Sequence, residues 1–394
     1  MAEIRDVVVV GAGPVGLLTA LGLAKAGVSV TVIEAEPRIN DSPRAAVYFP
    51  TTLTILDRLG ILSDALEIAY LSTSFCFHLL ATREVARITD TFPPGSPYPY
   101  NAHFGQHLLA QLVLKHFSAL PGAEMRWNTR LVALAQDATG AVLTVETPQG
   151  REEIRTRWIV GADGARSTVR GLLNLPFEGH TWPDRFVATN VRYDFERYGF
   201  EPANMMADAE NWAVVARLGK ENLWRVTYGE DADLPESEVG RRIAERYKIL
   251  LPDPTAPYEV VQYSPYRVHE RCAPTFRVGR ALLAGDAAHA CNPCGGLGLT
   301  SGVIDAAALA DVLNAVIARR APESVLDFYA TDRRRVFLEV SSPIATDFKR
   351  RMSEKDPARQ RADFEEFRRD ANSPERKSLM TALSKLVEGQ PMPV

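Results

Sequence analysis

At 394 residues the chain exceeds what a single hydrophobic core usually supports, so two domains are expected. Its apolar content of 46% is ample for burial, and a net charge of −4 with only short basic clusters (Arg333-Arg334-Arg335 and Lys349-Arg350-Arg351) excludes a nucleic-acid binder. Four cysteines make no disulfide framework, Met1 leads almost at once into a strand, and no apolar run approaches ~20 residues. A soluble cytoplasmic protein without a membrane span is expected.

The first element is Val7–Val10, four β-branched residues too apolar to alternate, which read as a strand buried on both faces. Gly11-Ala12-Gly13-Pro14-Val15-Gly16 follows, then a helical pattern from Leu17 to Ala26 closed by Gly27, then a second buried strand from Val28 to Ile33 that ends in Glu34 and Ala35. Strand, glycine turn, helix, strand and acid together make a dinucleotide-binding fingerprint. Gly11 permits the tight turn, Gly13 admits a pyrophosphate to the backbone, and Gly16 lets the helix pack on the sheet. Glu34 is placed to accept hydrogen bonds from a ribose. This unit does not separate one dinucleotide from another.

Further on, Phe75–Leu80, Phe186–Asp194, Trp212–Leu218 and Leu223–Tyr228 are strand-like, and the last two flank a hairpin signal, Gly219-Lys220-Glu221-Asn222. Between them Trp158-Ile159-Val160-Gly161-Ala162-Asp163-Gly164 is a strand and a turn, followed by a helix start capped by Ser167. Alone, such an Asp-Gly is a plain turn. Near the end, Ala281–Ala284 forms a buried strand that delivers Asp286 to its tip. Pro293, Gly295, Gly296, Gly298 and Leu299 then open a long Ala/Leu-rich helix, whose N-terminus favours an electron-rich ring. The remainder reads as helices broken at Ser341-Ser342-Pro343 and by Pro357 and Pro374.

The three motifs in this order resemble the group A flavoprotein monooxygenases, the para-hydroxybenzoate hydroxylase superfamily, over roughly residues 4 to 340. The resemblance implies an α/β protein: a discontinuous Rossmann-like FAD-binding domain (1–70, 97–180, 270–340), an inserted, mostly antiparallel substrate sheet (71–96, 181–269) and a C-terminal helical segment (341–394). It implies that Gly11, Gly13, Pro14, Val15, Gly16, Glu34 and Ala35 hold the ADP half of a non-covalent FAD. Asp163 lies near the pyrophosphate, Asp286 grips the ribityl chain, and Pro293, Gly296, Gly298 and Leu299 line the isoalloxazine ring. Arg44 resembles the arginine along the flavin phosphates, and Gln106 the glutamine that touches the ribityl. Thr300 stands where the family often has Asn. Cys291 and Cys294 form a CxxC inside the flavin loop and read as small apolar fillers, because no helix follows them directly.

The implied activity is that of an aromatic hydroxylase. FAD is reduced by NADPH or NADH and reacts with O2 to give a C4a-hydroperoxide that hydroxylates a small aromatic ring. Such chemistry needs a base or hydrogen-bond relay near the substrate hydroxyl. Tyr48, His78 and Pro293 are the catalytic candidates, and Tyr48, His78, Val214, Arg217 and Trp224 the substrate candidates. Arg225 is a second arginine on the hairpin strands, and His289 matches a family histidine tied to the nicotinamide. A structural role is the commoner one for a histidine such as His78. Segments such as Val187–Asp194, Trp224–Glu230 and Pro265–His269 resemble compact members acting on small para-substituted phenols or hydroxypyridines. A polyketide aromatic hydroxylase is the alternative, and a non-oxygenating FAD oxidase or reductase the competing class. A monomer or homodimer is expected.

Overall fold

Val7, Val8 and Val9 are wholly buried because their strand, Arg5–Val10, lies inside a parallel sheet with helices on it. A computed structural model describes residues 4–89, 92, 95–371, 373 and 387–394 of this chain. The first sheet runs in the order Arg277–Val278, Ala281–Leu283, Gly150–Gly161, Arg5–Val10, Val30–Ile33, Ala123–Arg126. Its last five strands pair in parallel, and Arg130–Gln136 and Ala141–Thr147 extend the long 150–161 strand as an antiparallel meander. The helices Pro14–Lys25 and Leu297–Ile317 pack on each other and on this sheet. The second is 21 residues long and apolar enough by composition to cross a membrane, contrary to the expectation that no run reaches that length. About 67% of its most apolar 18-residue stretch is buried inside the protein, as in a core helix.

A second sheet of eight strands has the order His289–Ala290, Glu259–Cys272, Glu178–Arg192, Leu223–Asp231, Ala213–Arg217, Ala203–Ala207, Phe75–Leu79, Glu84–Ile88. Only the contact between Ala203–Ala207 and Phe75–Leu79 is parallel. The strands Ala203–Ala207 and Glu259–Cys272 are additions to the expected set. The latter runs past 269 and pairs with His289–Ala290, so the flavin loop is stitched directly to the sheet. One face of the sheet is sealed by the helix Val239–Leu250, which buries Val187, Val191, Val215, Trp224, Val226 and Tyr228 against Ile243 and Tyr247. The opposite face looks onto a cavity.

The C-terminal region differs from expectation at one point. Instead of breaking at Ser341–Pro343, the chain passes from the helix Ser324–Val336 through a π-helical turn, Phe337–Ser341, into the helix Ser342–Met352. Pro343 falls in the first turn of that last helix, directly after the π-helical turn. Pro357 opens the next helix, Pro357–Ala371, which lies against the strands Phe75–Leu79 and Glu84–Ile88. Pro374 lies outside the described residues.

Candidate cofactor and substrate cavity

The glycine turn is built so tightly that side chains are excluded. Gly11 has φ +107°, and a Cβ there would stand 2.4 Å from the Ala162 carbonyl oxygen. A Cβ on Gly16 would stand 2.1 Å from the Gly11 carbonyl oxygen. The two motifs therefore interlock: the turn after the first strand rests on the backbone that carries Asp163. Gly13 has open space in front of it and leaves its backbone bare. Glu34 braces the turn from the side, its carboxylate accepting from the Ala12 N–H (2.8 Å) and the Glu36 N–H (3.0 Å).

Asp163 is committed elsewhere in its own loop. Its carboxylate accepts from the Ser167 hydroxyl and from the Thr168 (2.6 Å) and Val169 (3.2 Å) N–H groups, holding the start of the short helix Thr168–Leu172. Burial pushes its carboxyl above the usual range, against those hydrogen bonds. Asp286 stands differently. It is exposed to the cavity, makes no hydrogen bond among the described residues, and is pushed up by burial with His289 and Arg44 pulling the other way. Behind it, Asp305 of the helix Leu297–Ile317 accepts from the Gly285 N–H (3.1 Å), His289 Nε2 (2.6 Å) and Arg333 Nε (2.8 Å). Asp305 thus pins the turn that presents Asp286.

These pieces open onto one cavity of about 1450 Å³. Gly11, Gly13, Pro14, Val15, Glu34, Ala35, Arg44, Gln106, Asp163, Asp286, Pro293, Gly296, Gly298 and Leu299 all line it, and Gly16 packs just behind. Arg44 extends its guanidinium over the Tyr266 ring at 4.8 Å. Gln106 opens the helix Gln106–Ser118, its N–H donating to the Ala45 carbonyl (3.1 Å). The volume exceeds the roughly 300–1,000 Å³ of ordinary small-molecule pockets. It accommodates a dinucleotide and a further ring. The bare glycine backbone, the unpartnered Asp286 and Arg44 match the polar demands of FAD. Thr300 donates its hydroxyl to the Gly296 carbonyl (2.9 Å), within its own helix start.

Among the substrate candidates only Val214 lines the cavity. Tyr48 is 1% exposed and stacked on Phe104 at 4.1 Å, because its strand gives the cavity side to Val47 and Phe49. His78 bonds through Nε2 to Asn204 Oδ1 (3.0 Å) and stacks on Phe200, and burial lowers its pKa. It does not line the cavity. Arg217 turns to Glu196 and the Gly219 and Lys220 carbonyls, over the Tyr70 ring. Trp224 is fully buried, with Nε1 donating to Asn222 Oδ1 (2.8 Å). Arg217 and Trp224 are cross-strand partners, so they share the face sealed by the helix Val239–Leu250. The cavity face carries the alternate positions: Val214 opposite Thr227, and Ala216 opposite Arg225. His289 is buried in the Asp305 cluster and stacked on Phe337 rather than facing the cavity.

The sheet end of the cavity is walled by Phe75, Met205, Val214 and Ala216, and also by Ile344, Phe348 and Phe367. The last three come from the C-terminal helices, which the sequence reading left outside the site. An apolar pair four apart, Ile344 and Phe348, was the available signal. All four cysteines are free. Cys291 and Cys294 line the wall with thiols raised by burial, Cys294 to about 12.

The fold and the cavity define a flavin-binding protein, and the chain belongs to the FAD-binding domain family, whose model matches residues 5–342. Among its relatives is the para-nitrophenol 4-monooxygenase of Pseudomonas sp. strain WBC-3, 47% identical across 93% of this chain and 92% of that protein. The 6-hydroxy-3-succinoylpyridine 3-monooxygenase HspB of Pseudomonas putida is 43% identical across 92% of this chain and 93% of that one. The crystal structure of p-nitrophenol 4-monooxygenase PnpA from Pseudomonas putida superimposes with a TM-score of 0.96 at 44% identity. It covers 99% of this chain and 100% of its own.

Proposed function

We propose that this protein is an FAD-dependent, NAD(P)H- and O2-consuming monooxygenase of the cytoplasm that hydroxylates a small, single-ring, para-substituted phenol. The observation that carries the reading is the continuity of the cavity. One unbroken space joins the glycine turn, Glu34 and Asp286 to an apolar chamber under the sheet, lined by Phe75, Met205, Val214, Phe348 and Phe367. Bound FAD supplies the oxygen chemistry once a nicotinamide has reduced it.

The chain's own groups do the rest. The glycine turn and Glu34 would hold the adenosine half, Asp286 the ribityl hydroxyls, and Arg44 the phosphates through its permanently charged, planar guanidinium. The N-terminus of the helix Leu297–Ile317, with Gly295 and Gly296 in left-handed conformations before it, would face the electron-rich end of the ring. The apolar wall orients a flat substrate by burial and excludes water from the reacting atoms. Free cysteines support a reducing compartment. A hydroxypyridine substrate is the second reading, supported by the relative that acts on a hydroxypyridine.

The test is a panel of para-substituted phenols, hydroxypyridines and the corresponding methyl ethers, scored for NADH and NADPH oxidation, O2 uptake and hydrogen peroxide. Single-ring phenols should stimulate both consumptions, whereas methyl ethers should raise peroxide at the expense of product. Stimulation by multi-ring compounds alone would overturn the small-phenol reading. NAD(P)H oxidation indifferent to every aromatic compound would overturn the monooxygenase itself.

A further inference from the structure

The loop that carries Pro293 is held in place by a buried acid. The strand Glu259–Cys272 pairs with His289–Ala290 through Cys272 and Arg271, and that backbone pairing ends at Ala290. Glu270, the next residue along the strand and 7% exposed, takes over with its side chain. Its Oε2 accepts from the Asn292 N–H (3.3 Å), from Asn292 Nδ2 (3.1 Å) and from Trp182 Nε1 (3.3 Å). Asn292 is wholly buried, and its Oδ1 accepts in turn from the Cys294 N–H (3.1 Å). One amide therefore grips the chain on both sides of Pro293. The Gly296 N–H closes the loop on the Pro293 carbonyl (3.1 Å).

Such a loop needs support from outside. Pro293 offers no N–H, and Gly295 (φ +97°) and Gly296 (φ +71°) have wide backbone freedom. Pro293, Cys294, Gly295 and Gly296 line the cavity, whereas Asn292 and Glu270 are not part of its wall. The three donors that Glu270 meets are all neutral, and its Oε1 is buried without a partner among the described residues. A carboxylate buried in this way is costly. Unlike an amide, however, it only accepts, so it presents no donor to the loop in any orientation. A second grip comes from the C-terminal helices. Phe348 packs on the same loop, since a Cβ on Gly295 would stand 2.8 Å from its Cδ2. Its neighbour Lys349 is paired with Asp184 (2.9 Å) and lies 5.5 Å from the Trp182 ring, which ties the two grips together.

We propose that Glu270 is a positioning residue of the flavin site, acting through Asn292 to fix the Pro293–Gly296 loop that would face the flavin ring. The proposal rests on the monooxygenase reading above. Glu270 touches neither cofactor nor substrate. Its part is to hold the loop in one geometry, so that bound flavin and substrate keep the separation that oxygen transfer needs. A loose loop would let water reach the reacting atoms, and reducing equivalents would leave as hydrogen peroxide.

The experiment compares the FAD-loaded parent with Glu270→Ala, Glu270→Gln, Asn292→Ala and the double alanine variant. Three quantities are read on each: the FAD dissociation constant, the visible spectrum of the bound oxidised flavin, and the division of NAD(P)H between product and hydrogen peroxide with para-nitrophenol. Glu270→Ala should raise the dissociation constant by about tenfold or more, as for a lost hydrogen bond to a charged group. It should also shift the flavin spectrum and lower the product yield. Asn292→Ala should do the same, and the double variant should add little, because both changes remove one clamp. Glu270→Gln should restore most of what Glu270→Ala loses, since an amide oxygen can stand where Oε2 stands. A merely structural role would lower the unfolding midpoint and leave spectrum and yield unchanged once FAD is saturating. That result in Glu270→Ala would overturn the proposal. If Glu270→Ala does not fold, Asn292→Ala decides alone: a spectrum and yield like the parent's overturn it. Additive effects in the double variant, or a folded Gln variant as poor as the Ala one, would overturn it as well. Failure of the monooxygenase reading is distinguishable: no phenol would then stimulate NAD(P)H oxidation by the parent, while FAD affinity and the flavin spectrum still report on the clamp.

Discussion

Replacing Asp305 by Asn should weaken the protein and its hold on FAD together. The side chain is wholly buried, and its two oxygens serve three donors: the Gly285 N–H, His289 Nε2 and Arg333 Nε. Despite burial, its neighbours His289 and Arg333 hold the carboxyl at about 2, below the ordinary 3.8. Ionisation at about 2 rather than 3.8 contributes about 2 kcal/mol of stability at neutral pH. Because the folded value is the lower one, that contribution is complete above 3.8 and is lost as pH falls from there through about 2. The Asn variant also strands Arg333, whose other acceptors among the described residues are the Val387 and Glu388 carbonyls. Removing one partner of a buried pair costs about 3–5 kcal/mol. Urea unfolding of the apoprotein at about pH 7 should therefore show that loss, and the gap to the parent should narrow by about 1 kcal/mol as pH approaches 3. FAD affinity should fall with it, since Gly285 precedes Asp286. A variant within about 0.5 kcal/mol of the parent at neutral pH would refute the reasoning, since surface changes alone stay inside that range.

Gly16→Ala should fold poorly or purify without flavin, because its Cβ would lie 2.1 Å from the Gly11 carbonyl oxygen; full yellow occupancy would contradict the interlock described above. Asp286→Ala should keep the fold, since its carboxylate bonds to no described residue, and yet release FAD on gel filtration. The two faces of the hairpin can be told apart by a pair of variants. Val214→Phe should raise the KM for phenols with little change in unfolding midpoint. Trp224→Ala should cost about 3–5 kcal/mol of stability and leave the KM of the folded fraction where it was. An inverted pattern would mean that the cavity lies on the other face.

Motifs that are local in the chain were legible in the sequence. The Val7–Val10 run, the glycine spacing before Glu34, Asp163 with Gly164, and Asp286 at a strand tip each carry their geometry within about two dozen residues, and all converge on the cavity. Facing was not legible. Along Ala213–Arg217 and Leu223–Tyr228 each face carries an arginine among mostly apolar residues, so alternation gives no sign of which set meets the ligand. Only the helix Val239–Leu250, arriving later in the chain, decides that Trp224 and Arg217 are covered while Val214 and Arg225 are not. Tyr48 was placed by the resemblance, and the residues on either side of it, Val47 and Phe49, are the ones that line the cavity. Phe348 and Phe367 were missed because their contribution depends on how the C-terminal helices return across the sheet.

The π-helical turn at Phe337–Ser341 governs that return. A wide turn of this kind holds one residue more than an α-helix uses for the same advance. Everything beyond it is therefore rotated by roughly 100° about the rod axis compared with an uninterrupted α-helix. Ile344 and Phe348 owe their aim to that offset, and so does Asp347, which accepts from Arg350 and Arg351 beside them. Trimming a single residue from this turn would leave both helices intact and every cavity residue in the chain. It would nonetheless swing the outer wall away from the ring it encloses.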